Sequence, residues 1–252
     1  MQTEREPPDA PGKGERIAKV IARAGLCSRR EAERWIGEGR VAVGGSVITV
    51  PSFCVGTKDA ITVDGRPLPA AQSARLWRYH KAPGVLTTHR DPQGRPTVFD
   101  RLPEALGRVI AVGRLDMASE GLLLLTNDGA LARWMALPAT GWLRRYRVRA
   151  FGEVDDGALA RLGAGIRLNG LNYGPIEARI DGRKGSNVWL NVALREGKNR
   201  EVRVVLAHLG LQVNRLIRVS YGPFQLGNLP RGEVASIAQK VLLEQVGRRG
   251  QR

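Results

Sequence analysis

The chain has 252 residues, room for one large domain or for a large and a small one. Forty Lys and Arg stand against 24 Asp and Glu, a formal charge of +16, which favours polyanionic partners and salt-sensitive association with them. No apolar run is long enough to span a bilayer, the N-terminus lacks the apolar stretch of a signal peptide, and Cys27 and Cys54 have no metal-ligand spacing, so the expectation is a cytoplasmic protein with neither membrane nor metal as partner.

Residues 1–14, charged and rich in Pro and Gly, are expected to form a flexible tail. From Glu15 the spacing of Ile17, Val20, Ile21 and Ala24 predicts a helix that Gly25 stops. Ser28 and Glu31 read as a capping box opening a second helix through Trp35 and Ile36. Short strands are predicted at Arg40–Val43, Val47–Val50 and Ala60–Val63, turned at Gly44–Gly45 and Asp64–Gly65. Residues 15–65 thus form a small ααβ unit. Residues 66–75, RPLPAAQSAR, read as a linker.

Residues 76–243 mix helices and strands without regular βαβ alternation, which predicts an α+β domain on a largely antiparallel, mixed sheet. Strands are expected at Leu76–His80, Val109–Val112, Leu122–Thr126, Arg144–Phe151, Glu177–Arg179, Val188–Leu194 and Leu216–Val219, and helices at Ala130–Ala136, Asp156–Leu162 and Arg200–His208. Residues 244–252 are left as a basic tail.

Three stretches carry candidate chemistry. In GRLDMASEGLLLLTNDG, residues 113–129, a polar loop between two apolar strands offers Arg114, Asp116, Ser119 and Glu120; a carboxylate held by rigid strands suits catalysis, and a tight connection satisfying its own amides is the plain alternative. In WLRRYRVRAF, residues 142–151, alternation puts Arg144, Tyr146 and Val148 on one face and Arg145, Arg147 and Arg149 on the other. Arginines beside an aromatic suit RNA phosphates and an unstacked base; a core-edge tyrosine beside a solvated face is the alternative. In REGKNREVR, residues 195–203, Asn199 is a plausible cap for a helix carrying Arg200 and Arg203, and Arg203 is of the type that pairs with a buried carboxylate and keeps it ionised. A solvated helix end is the alternative there.

Taken in order and spacing, the three stretches resemble the motifs of the pseudouridine synthases, in the branch that modifies ribosomal RNA. DPQGRPTVFDRLP, residues 91–103, is most similar to the group acting on the large subunit. The resemblance runs from Arg16 to about Ile237. It implies that Asp116 is the catalytic aspartate, Tyr146 the active-site tyrosine and Arg203 the basic residue that salt-bridges the aspartate. Leu216, in LIRVSYGPF, would pack beneath the target base, with Arg114 also binding substrate. Lys198 and Arg200, with Arg145 and Arg147, would touch RNA. The N-terminal unit resembles the RNA-binding domain named after ribosomal protein S-four, with Lys19, Arg23, Arg29, Arg30 and Arg34 on its helices. Val204 departs from the pattern, which usually has a second basic residue there, and the long basic C-terminal extension of some members is reduced to Arg248, Arg249 and Arg252.

The implied reaction breaks a nitrogen glycosidic bond, turns the uracil and rejoins it through ring carbon 5. It requires no redox step, and no cofactor is expected. The enzyme is expected to act on ribosomal RNA as a monomer, with the large-subunit RNA ahead of the small-subunit RNA as substrate. Two other classes compete. A non-enzymatic ribosome-binding factor would explain the charge. A glycoside hydrolase would use Asp116 and Glu120 as paired carboxylates.

Overall fold

A computed structural model describes residues 14–247; residues 1–13 of the expected tail, and Arg248, Arg249 and Arg252, lie outside the described residues. The chain divides into two compact units between Ser73 and Ala74.

In the first unit, α1 (Ile17–Arg23) and α2 (Arg29–Gly37) bury Ile17, Ala18, Ile21, Ala32 and Ile36. Ser28 caps α2 as the sequence requires, its Oγ accepting from the Glu31 amide at 3.0 Å. Glu15–Arg16, expected to be helical, is a two-residue strand, β1, paired with β4 (Cys54–Val55). The Ile17 amide donates to the Phe53 carbonyl at 2.9 Å, so tertiary pairing holds the chain extended until α1 begins. The strands β2 (Val41–Val43), β3 (Ser46–Ile48) and β5 (Ile61–Val63) fall within one or two residues of expectation. Arg66–Pro67 forms a further strand, β6, against β5, so the start of the expected linker belongs to this unit.

The second unit is built on a nine-stranded sheet. Its main path runs β13 (Ile176–Lys184), β14 (Asn187–Leu194), β10 (Arg144–Phe151), β15 (Gln212–Tyr221), β9 (Glu120–Thr126), β7 (Leu76–Lys81) and β17 (Val234–Ser236). β8 (Ile110–Ala111) pairs with β9 and β16 (Phe224–Gln225) with β15. The β15–β9 contact is parallel and the other pairs are antiparallel. This is the expected α+β class with a mixed sheet. Sequence reading missed β17, the hairpin of β11 (Ile166–Leu168) and β12 (Leu171–Tyr173), and α6 (Gln239–Val246). Because α6 buries Leu242 and Val246, residues 244–246 belong to the domain rather than to a tail.

Alternation along β9 divides two cores. Leu123 and Leu125 join Tyr79, Tyr146, Val148 and Leu216 on one side, together with residues from α4 (Asp156–Arg161) and α5 (Glu201–His208). On the other side Leu122 and Leu124 pack with α3 (Gly129–Ala136) and α6 through Leu131, Met135, Leu242 and Val246. Where β9 meets β15, Gly121 sits at φ +104°, and a Cβ there would lie 2.3 Å from the Arg218 carbonyl oxygen. Only glycine permits this approach, and it brings β15 alongside the loop that precedes β9.

Candidate active site

Asp116 lies in the loop entering β9, and the main chain of that loop is held at every step. The carbonyl of Leu115 accepts from Thr87 Oγ1 at 2.8 Å, and that of Met117 from the Gly84 amide at 2.8 Å. The carbonyls of Asp116 and Ser119 accept from Lys81 Nζ at 3.0 and 2.8 Å, and that of Ala118 from Arg203 Nη2 at 3.1 Å. Lys81 is fully buried at the end of β7 and also donates to the Ala82 carbonyl at 3.0 Å. Burial pushes its pKa down to about 8, against the opposing pull of Asp116. It therefore remains an ammonium at neutral pH, with its donors spent on carbonyls. Sequence reading missed Lys81, because a single lysine ending a strand has no pattern to mark it.

Tyr146 and Leu216 approach the same side of the sheet. Val148 of β10 pairs with Leu216 of β15, and Tyr146 is two residues from Val148, so both side chains project on one face. They are 9% and 6% exposed. Arg203, on the first turns of α5, places its guanidinium against the Asp116 loop. The expected salt bridge to the Asp116 carboxylate is not formed: Arg203 donates to the carbonyls of Val213 at 2.8 Å and Ala118 at 3.1 Å. Ala118 is two residues beyond Asp116, so the side chain braces the loop's backbone instead. Burial lowers the Arg203 pKa, Arg200 adds to the fall, and Asp116 opposes it. Among the described residues its Nε is buried without a hydrogen-bond partner.

Arg114 is exposed beside the loop. The helix expected from Arg200 starts at Glu201, and Arg200 takes a left-handed φ of 52° as its N-cap. Asn199 is not the cap. The Glu201 carboxylate closes the turn, accepting from the Lys198 amide at 2.8 Å. Lys198 pairs with Glu196 and lies over the Tyr173 ring. Val204 is partly buried against the core, which accounts for an apolar residue at that position.

Glu201 is 3% exposed. Burial, reinforced by a hydrogen bond to Glu196, lifts its pKa from the ordinary 4.5 to about 7. Burial alone would raise Glu196 too, but the Gly174 amide, Lys198 and the bond shared with Glu201 bring it down. A carboxyl whose folded pKa is raised gives stability that is fully present below its unfolded pKa. That stability is lost as pH climbs through about 7. Glu201→Gln is therefore expected to gain stability relative to the parent chain between pH 5 and pH 8, by up to about 3 kcal/mol. Urea melts of both chains at the two pH values check this; a constant difference would show that Glu201 does not titrate there.

Glu120 is removed as a catalytic partner. It is buried and paired with Arg215 Nε and with Arg231 at 2.9 Å, so it is not a free carboxylate to act opposite Asp116. On the first unit, Lys19 and Arg23 both pair with Glu15, at 2.5 and 2.6 Å, and Arg34 pairs with Glu31 and Glu38. Arg29 and Arg30 make no salt bridge among the described residues. Arg145 and Arg147 are exposed on the face of β10 opposite Tyr146, so they do not share its pocket.

Residues 15–67 match the S4 domain and residues 75–208 the RNA pseudouridylate synthase family. The chain is 45% identical over 227 residues to an "uncharacterized RNA pseudouridine synthase" of Rickettsia bellii, covering 90% of this chain and 98% of that one. It is 45% identical to the ribosomal large subunit pseudouridine synthase B of Yersinia pestis, covering 87% of this chain and 71% of the relative. A solved structure described as a pseudouridylate synthase superposes with a TM-score of 0.64 at 25% identity, over 92% of this chain and 99% of the other. The chain belongs to the RNA pseudouridine synthases.

Proposed function

We propose that this enzyme converts one uridine of large-subunit (23S) ribosomal RNA to pseudouridine, with Asp116 as its catalytic carboxylate. The observation that carries the reading is the convergence of four separate segments. The Asp116 loop, Tyr146 of β10, Leu216 of β15 and Arg203 of α5 meet at one side of the sheet. The 45% identity to a synthase named for the large subunit supports that RNA as substrate. The reading needs the residues of one chain only, and has the enzyme act in the cytoplasm, where ribosomes assemble.

In this reading the target nucleotide leaves its stack, at a cost of a few kcal/mol. Its uracil lies between Tyr146 and Leu216. The ionised Asp116 carboxylate begins the reaction by attack at the anomeric carbon or by elimination at the ribose; both routes need the same charge in the same place. Arg203 and Lys81 supply positive potential around it, and the unpartnered Arg203 Nε is a spare donor for the substrate-bound state. Tyr146 assists proton removal from ring carbon 5. Arg114, Lys198 and Arg200 hold RNA phosphates near the target, while Lys19, Arg23, Arg29, Arg30 and Arg34 bind RNA through the first unit.

Incubation of the purified enzyme with 23S and 16S transcripts, followed by pseudouridine mapping, tests the substrate. One new site in 23S RNA is expected. A site in 16S RNA alone would overturn the large-subunit assignment, and no site in either would overturn the proposal.

Arg203→Met is expected to slow single-turnover chemistry by about 100-fold or more with little change in RNA affinity, since it removes both the brace on Ala118 and the local positive charge. Arg203→Lys should be milder, keeping charge and losing the planar fork. Arg200→Met should alter affinity only. Loss of affinity alone in Arg203→Met would make that residue a phosphate ligand.

A further inference from the structure

The reverse face of the catalytic sheet is only half covered. At the β9–β7 end, α3 and α6 pack over Leu76, Leu122 and Leu124. At the β10–β14–β13 end the same side of the sheet is open among the described residues. Every second residue of β10, from Arg145 to Phe151, is exposed, while Tyr146, Val148 and Ala150 between them face the catalytic core.

What stands on the open half is not an ordinary solvated surface. Phe151 is 49% exposed. It pairs with Asn187, two residues from Trp189, so the two rings are diagonal neighbours on adjacent strands. The Arg147 guanidinium lies 4.6 Å from the centre of the Trp189 ring and is fixed by Asp181 at 3.2 Å, which Asn191 holds in turn at 3.0 Å. Its side chain is still 51% exposed. Around this platform Arg145, Arg149, Arg179 and Lys184 are exposed, and none of them makes a salt bridge among the described residues. Two flat groups for stacking, with a fixed guanidinium plane on the side of Trp189 away from Phe151 and unpaired cations around them, match the needs of an unstacked polynucleotide.

We propose that this reverse face binds a single-stranded segment of RNA, separately from the nucleotide held at Asp116. The inference rests on the reading that the substrate is a long RNA, one that extends past the target nucleotide. A second copy of the chain fits the face poorly, because the same unpaired cations would meet across a two-fold axis.

The test is binding of the full chain, on an Asp116→Asn background, to a fluorescein-labelled 15-nucleotide oligouridine. No turnover is involved, so failure of the 23S assignment leaves the result readable. Phe151→Ser is expected to weaken binding about 5- to 100-fold, the loss of one stacked base. Arg145→Ala with Arg149→Ala should flatten the slope of log affinity against log salt by about 0.7 for each phosphate no longer neutralised. Arg133→Glu, an exposed charge on α3 outside the platform, is the control. Oligouridine carrying 4-thiouridine should crosslink to residues 145–151 or 187–191. Unchanged affinity in the platform variants, equal weakening by Arg133→Glu, or crosslinks confined to residues 113–119 and 195–203 would overturn the proposal. So would sedimentation showing a dimer that Phe151→Ser dissociates.

Discussion

Asp116→Asn is expected to abolish isomerisation, by at least about four orders of magnitude in turnover, while leaving the protein folded. The two halves of that expectation have separate grounds. The proposed chemistry needs an ionised carboxylate at the ribose, and an amide of the same shape supplies neither the charge nor the nucleophile. The fold does not need it, because what anchors the loop is its main chain: the carbonyls of Leu115, Asp116, Met117, Ala118 and Ser119 are all occupied without help from the Asp116 side chain. Tritium release from uridine labelled at ring carbon 5, beside a thermal melt, checks both. Full activity would remove Asp116 from the mechanism. A large fall in the melting temperature would mean that the carboxylate is a structural group.

Lys81→Met should produce the opposite pattern, a loss of stability and of activity together. Methionine fills most of the volume but leaves the carbonyls of Ala82 and Ser119 without their donor, while that of Asp116 keeps only the Ser119 amide at 3.0 Å. Each orphaned buried carbonyl costs about 1–3 kcal/mol, partly offset because the burial of an ammonium is no longer required. The net expectation is a destabilisation of several kcal/mol. Residual turnover should then be low even at temperatures where the variant remains folded, because the loop carrying Asp116 is no longer pinned at both ends. Chemical denaturation gives the first quantity and single-turnover kinetics below the melting range the second. A variant stable to within about 1 kcal/mol with normal turnover would show that Gly84, Thr87 and Arg203 suffice to hold the loop.

Local patterning made much of this architecture legible. The alternation of RRYRVRAF gave both the limits of β10 and its buried and exposed faces. Ser28 gave the start of α2, and the apolar run after Asp116 gave β9. Misreadings arose where a distant partner decides the local state. Glu15–Arg16 is extended because Cys54–Val55 is beside it, and β17 forms because β7 offers an edge. Within the site, residue types and order pointed to Asp116, Tyr146, Arg203 and Leu216, but two features lay beyond sequence. Arg203 reaches a carbonyl rather than a carboxylate because its partners depend on where α5 lies against the loop. Lys81 declares itself only through burial, which single-residue chemistry does not encode. Glu120 shows the converse: it looked available beside Asp116, yet Arg215 and Arg231 occupy it from β15 and from the segment before β17.

The buried ammonium beneath the Asp116 loop also makes the loop's opening observable by covalent labelling. The sequence holds seven lysines against 33 arginines, so an amine-selective acylating reagent marks few positions. Among the described lysines, Lys81 has no accessible surface, whereas Lys240 has 88% of its side chain exposed. Acylation at Lys81 therefore proceeds only through molecules whose loop has come away from its amine, while Lys240 records the reagent's intrinsic rate. The ratio of the two modification rates, followed by mass spectrometry with and without RNA, measures how often the Asp116 loop lets go and whether RNA closes it.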